Sequence, residues 1–191
     1  MKKKLLALSV VVAVLAIAAA GTLAYFTADE TAHNVITTGG VDIELLETAV
    51  NEDGATVPFE DVANVVPDTE VSKIVEVKNT GESAAWIRVS VEKAIELAQA
   101  PEDAEADLSL VTMDFNEEDW TYEDGYYYYN AELKPSAETE PLFTAVSFAA
   151  EMGNMYQEST ATVSVIAQAT QVVNNGGSAL EAAGWPAEKE A

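Results

Sequence analysis

The residues of this chain that could do chemistry are almost all carboxylates. Among 191 residues there are 33 Asp and Glu, a single histidine (His33) and no cysteine. A zinc peptidase of the common kind sets two histidines one helical turn apart with a glutamate between them. No His-Glu-x-x-His run is present, and His33 reads as a solvated residue. Carboxylates alone suit zinc poorly. Nucleophile–base pairs lack their base for the same reason, and carboxylate pairs are too plentiful to single out a glycosidase acid and base. The residues therefore point to no catalytic group and no metal ligand. Glu102-Asp103-x-Glu105-x-Asp107 and Glu117-Glu118-Asp119 offer hard oxygens of the kind calcium takes, but neither fits an EF-hand loop. The reading adopted is a solvated acidic surface with no cofactor.

The other concentration of chemistry is aromatic. Tyr126 to Tyr129 follow Asp124-Gly125 and read as one arm of a tight hairpin whose partner begins at Trp120. Alternation puts two of these rings toward the core and two outward. Tyr127 and Tyr129 are the candidates for a surface contact, either a sugar platform or a subunit contact, against plain strand packing.

The elements that must position these groups begin after an export signal. Lys2, Lys3 and Lys4 precede an apolar run from Leu5 to Ala20, the layout of a secretory signal peptide. Thr22 and Ala24 are small and flank a cut before Tyr25, while Ala18 and Ala20 offer a second site. Extended through Phe26 the run would be long enough to span a bilayer, so a retained anchor is the competing outcome. The domain plan is residues 1–24 signal peptide, 25–40 N-terminal arm and 41–191 folded body. Losing residues 1–24 takes three of nine basic residues and no acid, and shifts the formal charge from −24 to −27. Such a surface repels nucleic acid and anionic headgroups. Hydrophobic content of 49% in short β-branched runs argues against disorder.

The arm starts polar and ends in Val35-Ile36-Thr37-Thr38, β-prone but too short to fix its own register. Gly39-Gly40 can bend freely. Val41–Leu46, Val71–Lys78, Ala85–Lys93, Leu108–Phe115, Leu142–Phe148 and Ala161–Val173 read as strands. Val71–Lys78 and Ala85–Lys93 are expected to form a hairpin around Asn79-Thr80-Gly81-Glu82. Residues 55–67 read as loop, Glu92–Ala100 has helical composition, and Ser178 with Glu181 marks a capping box for a short helix. The expectation is an all-β, jelly-roll-like antiparallel sandwich with one or two short helices.

At this point the chain resembles the TasA/camelysin (CalY) family of Gram-positive biofilm-matrix proteins. The carrying residues are KKK-LLAL, Gly21-Thr22-x-Ala24-x-Phe26 and Thr38-Gly39-x-Val41-Asp42-Ile43 with Leu45, supported by Val71-Ser72-Lys73 and Asn79-Thr80-Gly81. The resemblance implies export through a SipW-type signal peptidase and a secreted, extracellular jelly roll that polymerises with itself and meets other matrix components. It also implies that the arm, here Phe26, Asn34, Val35, Ile36, Thr38 and Gly39, lies in the neighbouring subunit as a donated strand. An arm too weak to pair within its own fold would be satisfied in that way by an exposed sheet edge. Camelysin relatives have been described as metalloendopeptidases, for which the donor residues are lacking. A monomeric surface module binding glycan or protein is the alternative class.

Overall fold

Short runs of β-branched and aromatic residues with a two-residue period dominate the chain, and they fold as strands. The computed structural model describes residues 26–29, 34–37, 40–98 and 104–186. The strands are β1 (Phe26–Asp29), β2 (Asn34–Thr37), β3 (Ile43–Val50), β4 (Thr56–Pro58), β5 (Val62–Val65) and β6 (Thr69–Asn79). They continue as β7 (Ala85–Glu96), β8 (Val111–Met113), β9 (Trp120–Glu123), β10 (Tyr126–Tyr129), β11 (Phe143–Phe148) and β12 (Ser159–Gln171). A 7-stranded sheet has the order β5-β1-β12-β7-β10-β9, with β2 also on β12, and a 5-stranded sheet has the order β4-β3-β6-β11-β8. The expected all-β sandwich is what forms.

Between the sheets lies one main core. Val75 and Val77 of β6, Ile87 and Val89 of β7, and Ala167 and Ala169 of β12 are fully buried. Each such Val or Ile contributes about 1.5–3 kcal/mol relative to exposure. Sheet against sheet therefore holds the chain without any disulfide.

Four local expectations are corrected. β6 and β7 do not form a hairpin: they belong to different sheets, and the turn between them is an arch across the core. Asn79 makes the corner. It is fully buried, its Nδ2 donates to Ser83 O and Leu133 O at 2.8 Å each, and its Oδ1 accepts from Gly81 N at 2.9 Å. Gly81 fits there because a Cβ would stand 2.9 Å from Asp42 N.

The helix expected over Glu92–Ala100 is instead the continuation of β7 to Glu96. Val91, Lys93 and Ile95 are half-buried while Glu92, Ala94 and Glu96 are exposed, and β12 pairs all the way to Thr160↔Glu96. Alternation and a waiting partner outweigh helix propensity. The Ser178–Glu181 bonds do form, but on a turn: Glu181 N donates to Ser178 Oγ at 3.4 Å and Gly177 N to Glu181 Oε2 at 3.1 Å. The only helical turns among the described residues are 3-10, at Leu108–Leu110 and Asn154–Tyr156. The stretch read as loop from 55 to 67 contributes the short strands β4 and β5. The Asp124-Gly125 turn forms as expected, with φ of 48° and 87°.

Candidate assembly interface

β12 is the strand on which the site is built. One of its edges is paired with β7 from Thr160↔Glu96 to Gln171↔Ala85. Its other edge carries the arm. β1 runs parallel to it from Phe26↔Ser159 to Asp29↔Thr162, and β2 from Asn34↔Ile166 to Thr37↔Ala169. The register of arm against β12 shifts by one residue between the two segments. β5 pairs antiparallel to the far side of β1, with Phe26↔Val65 and Ala28↔Val62. The expectation that the arm finds no partner in its own fold is thus overturned. The physical reason is that no other strand among the described residues covers this side of β12, and its unpaired amides and carbonyls take the nearest extended segment.

The seat is rigid behind and open in front. Behind it, on the face of the 7-stranded sheet turned away from the core, residues 174–186 lie across the strands. Trp86 Nε1 donates to Asn175 O at 2.8 Å, and Thr170 Oγ1 donates to Ala183 O at 3.2 Å. Arg88 sits 3.8 Å above the Tyr126 ring and 4.7 Å from that of Trp185, and its Nε donates to Gln168 Oε1 at 2.7 Å. In front, Val35 packs against the main core, yet a groove of about 510 Å³ remains between it and Ile43, Leu45 and Glu47 of β3. Gly40 stands between arm and body with φ +72° and nothing within 4 Å of where a Cβ would be. That left-handed backbone suits glycine and strains any other residue.

The structure places Phe26, Asn34, Val35 and Ile36 together along β12. Thr22, Ala24, Tyr25, His33, Thr38 and Gly39 lie outside the described residues, as do Glu102 and Asp103. Tyr127 and Tyr129 are half-buried against the main core. Phe115 stacks on Tyr127 at 4.3 Å, and Trp120 lies 5.1 Å from Tyr129. Burial, then the neighbouring Tyr122 and Glu117, push the Tyr127 hydroxyl up to about 12. The exposed ring of this hairpin is Tyr122, at 62%.

Among the described residues no three His, Cys, Asp or Glu side chains stand close enough to hold a metal ion. Asp107 is engaged by Ser109, whose N and Oγ donate to it at 2.9 and 2.6 Å. Asp114 accepts from Thr144 N at 2.8 Å and Ala145 N at 2.7 Å. These carboxylates tie loops together, and with no cysteine in the chain the described donors do not fit a zinc peptidase centre.

The profile of a family described as camelysin metallo-endopeptidase matches residues 1–124. No curated protein and no solved structure matches the chain.

Proposed function

The chain belongs to the camelysin metallo-endopeptidase family, and from that membership and the pairing of its N-terminal segment we propose that it is an exported structural subunit that assembles by exchanging that segment between copies. The arm's place along β12 is the observation that carries the reading. Its ties to the body are mainly strand pairings with β12 and β5. The same segment of a second copy can make the same pairings, so exchange leaves their number unchanged. What decides between the closed monomer and the open chain is then protein concentration. In this reading donation runs head-to-tail, a contact that need not close on itself, and repeated donation gives a filament.

In this reading residues 1–24 are removed by a SipW-type signal peptidase, and the filaments lie in the extracellular matrix or on the cell surface. Peptidase activity is not part of this reading, because a chain with one histidine and no cysteine lacks the usual zinc donors. Chelator-sensitive cleavage of casein by the purified protein would reverse that. The arm's seat within its own sheet favours one competing reading, a self-complemented monomer acting as a surface binding module.

Electron microscopy and size-exclusion chromatography separate the two. The processed protein is expected to form filaments at high concentration. A variant lacking residues 25–38 is expected to stay monomeric and to regain thermal stability when the 25–38 peptide is added. Filaments from the truncated protein, or a solitary full-length protein at all concentrations, would overturn the proposal.

A further inference from the structure

The edge of the sandwich farthest from the arm carries a second feature that arm exchange does not use. In the 7-stranded sheet β9 is the terminal strand, separated from the arm by β12, β7 and β10. There Tyr122 lies 4.7 Å from Tyr127, which stacks on Phe115 at 4.3 Å. These rings form a ridge between two hollows. One, of about 340 Å³, is lined by Glu117, Trp120 and Tyr122; the other, of about 350 Å³, by Val91, Thr112 and Met113.

The charge at the first hollow is negative, and the one cation at the second is held to the backbone. Glu117 lines the first hollow, Glu117 and the adjoining Glu118 are exposed, and no lysine or arginine among the described residues pairs with either. Lys93, which lines the second hollow, is already used: its Nζ donates to Leu108 O at 2.9 Å and Val111 O at 2.7 Å. The Asn116 amide is used as well, donating to Asp119 Oδ2 at 3.0 Å and Pro141 O at 3.1 Å. A neutral glycan needs donors and acceptors in balance around its hydroxyls. The first hollow offers ring faces and the uncompensated Glu117 carboxylate, with the Tyr122 and Tyr127 hydroxyls as its free donors. That combination suits a cation, held by ring quadrupoles and carboxylate charge together.

We propose that this groove binds an extended cationic segment of a partner protein. An arginine or lysine enters between Tyr122 and Glu117, and a neighbouring apolar side chain fills the hollow floored by Val91 and Met113. A second copy of this chain is a poor occupant, since its net charge has the same sign.

The test is fluorescence anisotropy on the full chain with an acetylated, labelled heptapeptide, Arg-Ser-Val-Ser-Arg-Ser-Val. Tyr122→Ala is expected to weaken binding about tenfold and Glu117→Gln about fivefold. Both side chains are exposed, so the fold is kept. Glu44→Gln makes the same charge change on exposed β3 and is expected to weaken binding less than about twofold, as a distant screened charge should. An equal loss from Glu44→Gln would overturn the proposal in favour of diffuse attraction. Undiminished binding of the citrulline analogue would overturn it too. So would displacement of the peptide by a neutral chitooligosaccharide that is itself sensitive to Tyr122→Ala.

Discussion

Lys73 Nζ lies 2.5 Å from Glu47 Oε1, both side chains are 4% exposed, and the Phe59 ring sits 3.9 Å from the same ammonium. This is a charge pair on the inner rows of β6 and β3, in line with Val75, Val77 and Leu45. Taking two ions out of water offsets most of what they gain from each other, but leaving one behind alone does not. Lys73→Met is therefore expected to lower unfolding free energy by about 3–5 kcal/mol. Lys73→Met with Glu47→Leu should recover most of it. Urea unfolding measures both, and a single variant no worse than the double would show that the pair is not coupled.

Stability should also depend on pH through two carboxylates that move in opposite directions. At Asp114, burial raises proton affinity, but bonds from the Thr144 hydroxyl and the Thr144 and Ala145 amides outweigh it and hold the pKa below 3.8. Its contribution is present above the unfolded pKa and lost as pH falls through the folded one. Glu76 is held above 4.5 by burial first, then by Glu138 and Glu140. Its protonated form is favoured in the fold, so that contribution is present at low pH and lost as pH rises. Melting curves should show Asp114→Asn below the parent and Glu76→Gln above it at pH 7. Both gaps should close below about pH 4.

Much of this fold was legible because alternation is written locally. Val163, Val165, Ala167 and Ala169 announced β12, and Asp124-Gly125 announced its turn. What could not be read is which sheet a strand joins. Asn79-Thr80-Gly81 has the composition of a hairpin turn, and only the burial of Asn79 and its bond to Leu133 O, 54 residues away, make it an arch. The seat of the arm could not be read for a related reason. A segment with no strong preference of its own is placed by the vacancy it meets, and that vacancy beside Ser159–Ala169 exists only once the sheets have formed. Tyr122 is exposed while Tyr127 and Tyr129 are half-buried because Tyr127 meets Phe115, which follows β8 at the edge of the other sheet, and Tyr129 meets its cross-strand neighbour Trp120.

Self-repulsion should set the rate of assembly. Copies carrying a formal charge near −27 after processing resist approach at neutral pH and low salt. Lowering the pH toward about 4 protonates carboxylates, and about 0.15 M salt shortens the screening length to about 8 Å. Light scattering should report faster filament growth in both cases. Rates that stay flat across pH 4–8 and across salt would mean that a step within the subunit, such as arm release, is limiting instead.

The register along β12 allows the two positions of the arm to be told apart in one protein. Val35 stands opposite Ala167, and the chain has no cysteine to interfere. Neighbouring strands lie about 4.8 Å apart, within the Cα separation a disulfide accepts. A Val35→Cys, Ala167→Cys chain oxidised while monomeric should close on itself, keep its mobility on a non-reducing gel as a single band, and fail to form filaments until reduced. Oxidised after filaments have grown, the same pair should join the arm of one copy to β12 of the next, and the gel should show a ladder. A single monomer band from cross-linked filaments would mean that the arm never left its own sheet and that the copies hold together through some other surface.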